Sequence, residues 1–137
     1  MSPSDSNIDT LHAKWAEAIR AGDVDRALEL LMPDYVLWAA GAQPLQGRDA
    51  VRSVFRAALS TYTIEPRFES EERIVDGDLA FERGLDTQTV QPRAGGPAKT
   101  RRQRVFLILK RAEDGSWRYA RGMSQPGPEP GTLGSAQ

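Results

Sequence analysis

Apolar residues recur at spacings of three and four along the first part of the chain. Ile8, Leu11, Trp15, Ala18 and Ile19 share one stripe between residues 8 and 21, the period of an amphipathic helix with one buried face. Gly22 ends the stripe. Asp23 can cap a second helix, because its carboxylate can accept the free amide hydrogens of the next turn. Val24, Ala27, Leu28 and Leu31 lie on one face of that helix, and Pro33 stops it. Residues 35–40 are mostly apolar and rich in β-formers, which predicts a short strand, and residues 41–47 read as a loop. Val51, Val54, Phe55, Ala58 and Leu59 place a third helix over residues 48–59.

The helical period then disappears. Residues 63–75 read as a strand interrupted by Pro66, hence an edge strand or a bulge. Asp76-Gly77 is a hairpin signal. Residues 79–90 form the next strand, residues 92–99 a polar loop, and residues 101–111 a strand apolar on both faces over 105–109. Asp114-Gly115 makes a second hairpin turn before a last strand at 117–124. Helices first and hairpin-linked strands afterwards define an α+β domain. We place that domain at residues 8–125, with 1–7 and 126–137 as flexible termini.

Composition narrows the chemistry. The 137 residues suit one domain. With 18 basic and 19 acidic side chains the net charge is -1, so nothing pulls the protein as a whole towards nucleic acid or anionic membrane. There are no cysteines, which excludes disulfides and thiolate chemistry. The lone histidine, His12, cannot build a multi-histidine metal site, and it precedes the apolar stripe, which suggests a surface position. The expectation is no metal, no cofactor, no membrane span and a cytoplasmic location, since residues 1–10 are polar and lack a signal-peptide core. The basic run Arg101, Arg102, Gln103 and Arg104 lacks interleaved aromatics and reads as a solvated strand start rather than a nucleic-acid patch. Residues 95–100 lack the glycine spacing and the strand–loop–helix setting of a phosphate loop.

Certain words in this order resemble the NTF2-like superfamily. They are Trp15-Ala16-Glu17-Ala18 leading to Gly22-Asp23, then Leu30-Leu31-Met32-Pro33-Asp34, then Gly47-Arg48-Asp49-Ala50-Val51, and last Asp114-Gly115-Ser116-Trp117-Arg118. The resemblance covers about residues 8–125, and its flavour is SnoaL-like and ketosteroid-isomerase-like. It implies a cone: a curved antiparallel sheet wrapped around N-terminal helices, a pocket between them, and a homodimer. It does not imply one reaction. In the isomerase branch the tyrosine position falls on Trp15, the base at about Ala39 and the oxyanion acid at about Gln103. All three differ here: Trp15 has only an indole N–H to donate, Ala39 takes no proton, and Gln103 can donate a hydrogen bond but does not titrate, which disfavours steroid-type isomerisation by that mechanism. The epoxide-hydrolase branch needs two carboxylates bridged by an arginine, yet in residues 81–86 Arg83 points opposite to Glu82 and Asp86. The polyketide-cyclase branch needs a pocket aspartate, for which Asp86 qualifies only if even positions face inward.

The resemblance points the odd set Phe81, Arg83, Leu85 and Thr87 inward, with Gln103, Val105, Leu107 and Leu109 on the next strand and Ala120, Gly122 and Ser124 on the last. Phe106, Ile108, Trp117, Tyr119 and Met123 would then cover the outer face and suit a dimer. The candidate ligand-binding residues are Trp15, Tyr35, Trp38, Phe55, Arg83, Gln103 and Ser124, with no catalytic residue assigned. Arg83 and Gln103 would form the pocket's polar end. If Arg83 instead faces solvent, Asp86 becomes the leading catalytic candidate. Two functions compete: a cofactor-independent isomerase, cyclase or hydrolase acting on a small apolar carbonyl compound, and a non-catalytic ligand-binding or dimerisation module. A pocket filled by Trp15, Trp38 and Phe55 favours the module. An open pocket holding a carboxylate of raised pKa favours the enzyme.

Overall fold

The computed structural model describes residues 2–127. Helix α1 spans Pro3–Ala21, so it starts within the stretch read as a loose lead-in. Local chemistry explains this. Ser2 caps the helix by accepting the Asp5 amide at 3.1 Å, and the Asp5 carboxylate accepts back from the Ser2 amide at 3.4 Å. This reciprocal box, with Pro3 in the first turn, satisfies amide groups that a helix end leaves open. Gly22 closes α1 at a φ of 70°, a left-handed conformation that glycine adopts without a Cβ clash.

Helix α2 spans only Val24–Leu28, and Leu31 belongs to strand β1, Leu31–Ala39. Strand β2 is the short Leu45–Gln46, inside the stretch expected to be loop, and α3 follows at Arg48–Thr61. The remaining strands are β3 Tyr62–Asp76, β4 Leu79–Pro92, β5 Lys99–Arg111 and β6 Trp117–Pro126. Gln125 and Pro126 therefore continue the last strand, and most of the expected tail, 128–137, lies outside the described residues.

One curved six-stranded sheet runs in the order β2-β1-β6-β5-β4-β3. All neighbours are antiparallel except β1 and β6, which are parallel. β3, with Pro66 inside it, is an edge strand as the proline requires. The helices cover the concave face. Ile8, Leu11, Ala18 and Ile19 of α1 and Val51 and Leu59 of α3 are buried there with Leu107, Leu109, Trp117 and Tyr119 of the sheet.

The facing departs from the assignment made from the sequence on β4 and β6, and a bulge also turns residues of β3. On β4, Glu82 is 0% exposed while Arg83 sits in solvent, paired with Glu72 at 2.8 Å and Glu71 at 3.2 Å. Ala80, Glu82, Gly84 and Asp86 are the inner set. The cause is register: Glu82 pairs with Leu107, Gly84 with Val105 and Asp86 with Gln103, and paired residues share a face. A slip of one residue across the 92–99 loop reverses every side chain, and β5, against which β4 pairs, is apolar on both faces over 105–109. On β6, Leu109 pairs with Tyr119 but Ile108 with Arg121. Ala120 is thus an extra residue in a bulge, which turns Trp117 and Tyr119 inward while Gly122 and Ser124 stay inside. On β3, Ser70 pairs with Gly84 and Glu72 with Arg83, so Glu71 is a second bulge. That bulge brings Arg73 to the inner face opposite Glu82.

Candidate functional site

The concave face is not filled. Between α1, α3 and the sheet lies a cavity of about 570 Å³, within the range of small-molecule pockets. Its walls are mostly apolar: Trp15, Phe55, Ala58 and Leu59 from the helices, and Leu37, Ile64, Pro66, Phe68, Val105 and Leu107 from the sheet. Trp15 lies edge-on to both Phe55, at 5.6 Å, and Tyr119, at 5.4 Å between ring centroids. The helical stripe of α3 explains why there is room. Val51 and Leu59 are buried, but Val54 and Phe55 between them border open space.

Polar groups reach this space from three strands. Asp86 on β4 accepts from Gln88 Nε2 at 2.9 Å and from Gln103 Nε2 at 3.2 Å. Both amides use the same oxygen, Oδ2, and no hydrogen bond reaches Oδ1 from the described residues. Burial pushes the Asp86 carboxyl above its usual range, against the opposing pull of the two amides and of Arg101. Tyr35 on β1 stands over Gly122, where an added Cβ would collide with its hydroxyl oxygen. That hydroxyl has no hydrogen-bond partner among the described residues, and burial pushes its pKa well above the ordinary phenol range, so it remains a donor.

The third group is Tyr119 on β6. Its hydroxyl lies 2.7 Å from His12 Nδ1, and the other ring nitrogen of His12, Nε2, lies 2.6 Å from Glu82 Oε1. Glu82 Oε2 in turn accepts from Arg73 Nε at 3.0 Å and pairs with Arg73 Nη2 at 2.9 Å. Arg73 also meets Asp9 Oδ1 at 2.6 Å and Asp5 Oδ1 at 3.3 Å on α1. Burial by itself would raise the Glu82 carboxyl, but His12, Ser70 and Arg73 hold it below its usual value. Burial, reinforced by the charges of Glu82, Tyr35 and Asp86, lifts Tyr119 well above the ordinary phenol range.

Of the residues singled out in the sequence, Trp15, Tyr35, Phe55, Gln103 and Ser124 line this cavity. Arg83 does not, because the β4 register turns it outward, and the polar end it was to share with Gln103 is built by Asp86 instead. Trp38 does not either: it pairs with Met123 and is 40% exposed on the outer face. His12 is the residue that pattern reading missed. It follows Leu11 on α1, one position off the stripe, and faces Glu82 and Tyr119 rather than solvent. Only the inward facing of Glu82 and Tyr119 could have signalled that a histidine there would be partnered.

Comparison with solved structures places the fold. The chain is similar to a ketosteroid isomerase-like protein from Erwinia carotovora atroseptica, with a TM-score of 0.80, 20% identity, and coverage of 94% of this chain and 100% of that one. It is similar to an NTF2-like protein with a cystatin-like fold from Novosphingobium aromaticivorans (TM-score 0.74, 21% identity, 89% and 80% of the two chains). A putative scytalone dehydratase from the same organism gives a TM-score of 0.79 at 13% identity, over 90% and 84% of the chains. No curated protein matches. The model of the SnoaL-like domain matches residues 12–120, a span that runs from the histidine in the cavity wall to the bulge in β6, and on that match this chain belongs to the SnoaL-like family.

Proposed function

We propose that the protein is a cofactor-independent enzyme that moves a proton on a small, largely apolar, carbonyl-bearing molecule, with Asp86 as the acid/base. The observation that carries this reading is the carboxyl of Asp86 in the apolar cavity: its pKa is raised by burial, and among the described residues Oδ1 has no hydrogen-bond partner while two amides hold Oδ2. A carboxylate with a raised pKa is a stronger base than one in water, yet can still return its proton near neutrality. The unpartnered Tyr35 hydroxyl supplies a donor for the ligand's oxygen, and Trp15, Phe55 and Val105 supply its apolar bed.

The test is hydrogen–deuterium exchange at the carbon next to the carbonyl, followed by NMR in D2O on a panel of aryl ketones and cyclic enones. The wild type should accelerate exchange, and Asp86→Asn should lose about 10²–10⁴-fold of the acceleration. Exchange that survives in Asp86→Asn rules out the role. Binding without exchange in the wild type makes the cavity a ligand-binding module instead.

The same reading includes a homodimer through the outer face of the sheet. Phe106, Met123 and Trp38 are exposed there, and Phe81 stacks on Phe106 at 5.5 Å. An apolar patch of this kind on a small domain suits a partner surface. No helix among the described residues is long and apolar enough to cross a membrane.

A further inference from the structure

Nothing in the Asp86 chemistry uses the chain Tyr119–His12–Glu82–Arg73, although it ends in the same cavity. Its geometry sets hydrogen-bond directions. Glu82 is 0% exposed and held as a carboxylate by Arg73, so it can only accept. His12 Nε2, 2.6 Å away, must therefore carry a hydrogen. In neutral His12 the other nitrogen, Nδ1, is then bare, and the Tyr119 hydroxyl at 2.7 Å must donate to it. Tyr119 then offers the cavity only lone pairs. When His12 takes a second proton, Nδ1–H donates to the Tyr119 oxygen, and the hydroxyl hydrogen is released to point into the cavity.

We propose that Tyr119 is a ligand-recognising hydroxyl whose donor or acceptor character is set by His12, with Glu82 and Arg73 as the groups that position the imidazole. Imidazolium makes the site a donor for a carbonyl oxygen, and neutral imidazole makes it an acceptor for a hydroxyl. In the carbonyl-bound state a proton can pass from the Tyr119 hydroxyl to the ligand oxygen as His12 Nδ1 gives its proton to the tyrosine oxygen. The imidazolium becomes neutral, and as the Asp86 carboxylate takes the proton from the adjacent carbon it becomes a neutral acid, so the ketone leaves as a neutral enol and charge balances. This rests on the carbonyl reading of the cavity and extends it: Asp86 would serve the carbon and Tyr119 the oxygen. The other ionisable groups acting on this pair are Asp86 and Tyr35 in the cavity and, behind Arg73, Asp5 and Asp9.

His12 is the sole histidine of the chain, so 15N-histidine labelling of the whole protein gives one imidazole to follow by NMR. Its neutral form should be the Nε2–H tautomer in the wild type and in Tyr119→Phe. The binding probes are 4-methylacetophenone, which can only accept, and 4-methylphenol, which can also donate. Both remain uncharged from pH 5 to 9. Across the titration that NMR records for His12, the affinity for the ketone should fall about five- to tenfold relative to the phenol as His12 loses its proton, the worth of one hydrogen bond. Tyr119→Phe and His12→Gln should abolish that pH dependence, and Asp86→Asn should keep it. The Nδ1–H tautomer in the wild type overturns the proposal, as does a pH-dependent preference that survives in Tyr119→Phe or vanishes in Asp86→Asn. If neither probe binds the wild type while His12 shows the Nε2–H form, the carbonyl reading of the cavity fails, and the role of Tyr119 fails with it. Loss of exchange in Asp86→Asn together with a pH-independent probe preference leaves the Asp86 reading standing and removes only this one.

Discussion

Replacing Arg73 with Met tests whether the Glu82 carboxylate is a buried charge that depends on its partner. Glu82 is wholly buried, and Arg73, itself 13% exposed, covers Oε2 with two nitrogens at 2.9 and 3.0 Å. Methionine keeps much of the arginine's stem and removes the charge together with its hydrogen-bond donors. Breaking one side of a buried pair costs about 3–5 kcal/mol; His12 and Ser70 remain on Glu82, so the lower end, about 3 kcal/mol, is expected. The exposed contacts of Arg73 with Asp5 and Asp9 add little. For a domain of this size the loss lowers Tm by about 10 °C, from a total stability of about 5–15 kcal/mol. The pH dependence follows from sign. In the wild type the Glu82 pKa lies below its unfolded value, so its contribution is present above the ordinary carboxylate range and is lost as pH falls through the depressed folded value. Without Arg73, burial raises the folded pKa, and protonation relieves the mutant as pH falls. The gap between wild type and Arg73→Met should thus be widest at neutral pH and shrink towards pH 4. Arg73→Met combined with Glu82→Gln should recover most of the loss at pH 7. Urea unfolding followed by circular dichroism at pH 4 and 7 measures all three. A cost below about 1 kcal/mol at pH 7, or an equal cost at both pH values, refutes the reasoning.

Three further outcomes follow from single side chains. Gly84→Ala should destabilise by about 1–3 kcal/mol, because an added Cβ would press on the Phe68 ring at 2.8 Å and on the Glu69 carbonyl of the neighbouring strand; thermal unfolding reads it, and an unchanged Tm counts against the packing described. Gly122→Ala should push the Tyr35 hydroxyl out of its place and weaken binding of 4-methylacetophenone by about tenfold in calorimetry, whereas undiminished binding would place the ligand oxygen elsewhere. Phe106→Lys should shift a dimer towards monomer in light scattering with the fold intact, while Leu107→Ala, on the inner face, should lower stability by about 2–5 kcal/mol without changing the association state.

Much of the fold is legible because it rests on local rules. The stripe Ile8–Leu11–Ala18–Ile19, the Asp23 cap, the register of Val51 and Leu59, and the Asp-Gly turns at 76–77 and 114–115 are read within a few residues of chain, and period and turn chemistry act over that range. Pro66 announces an edge strand for the same reason. The walls contributed by Trp15, Tyr35, Phe55, Gln103 and Ser124 follow from that framework. The polar heart of the cavity does not. Asp86 and Glu82 face inward because of the β4–β5 register, which is set across a loop of several residues and against a strand, β5, that is apolar on both sides over 105–109. Arg73 and Tyr119 face inward because Glu71 and Ala120 bulge out of their strands, and a single extra residue reverses all facing beyond it. His12 acquires its roles only when those two reversals meet over α1. Alternation along a strand determines which residues share a face, but which face is the inside is a property of pairing between distant segments, and here tertiary structure alone decided it.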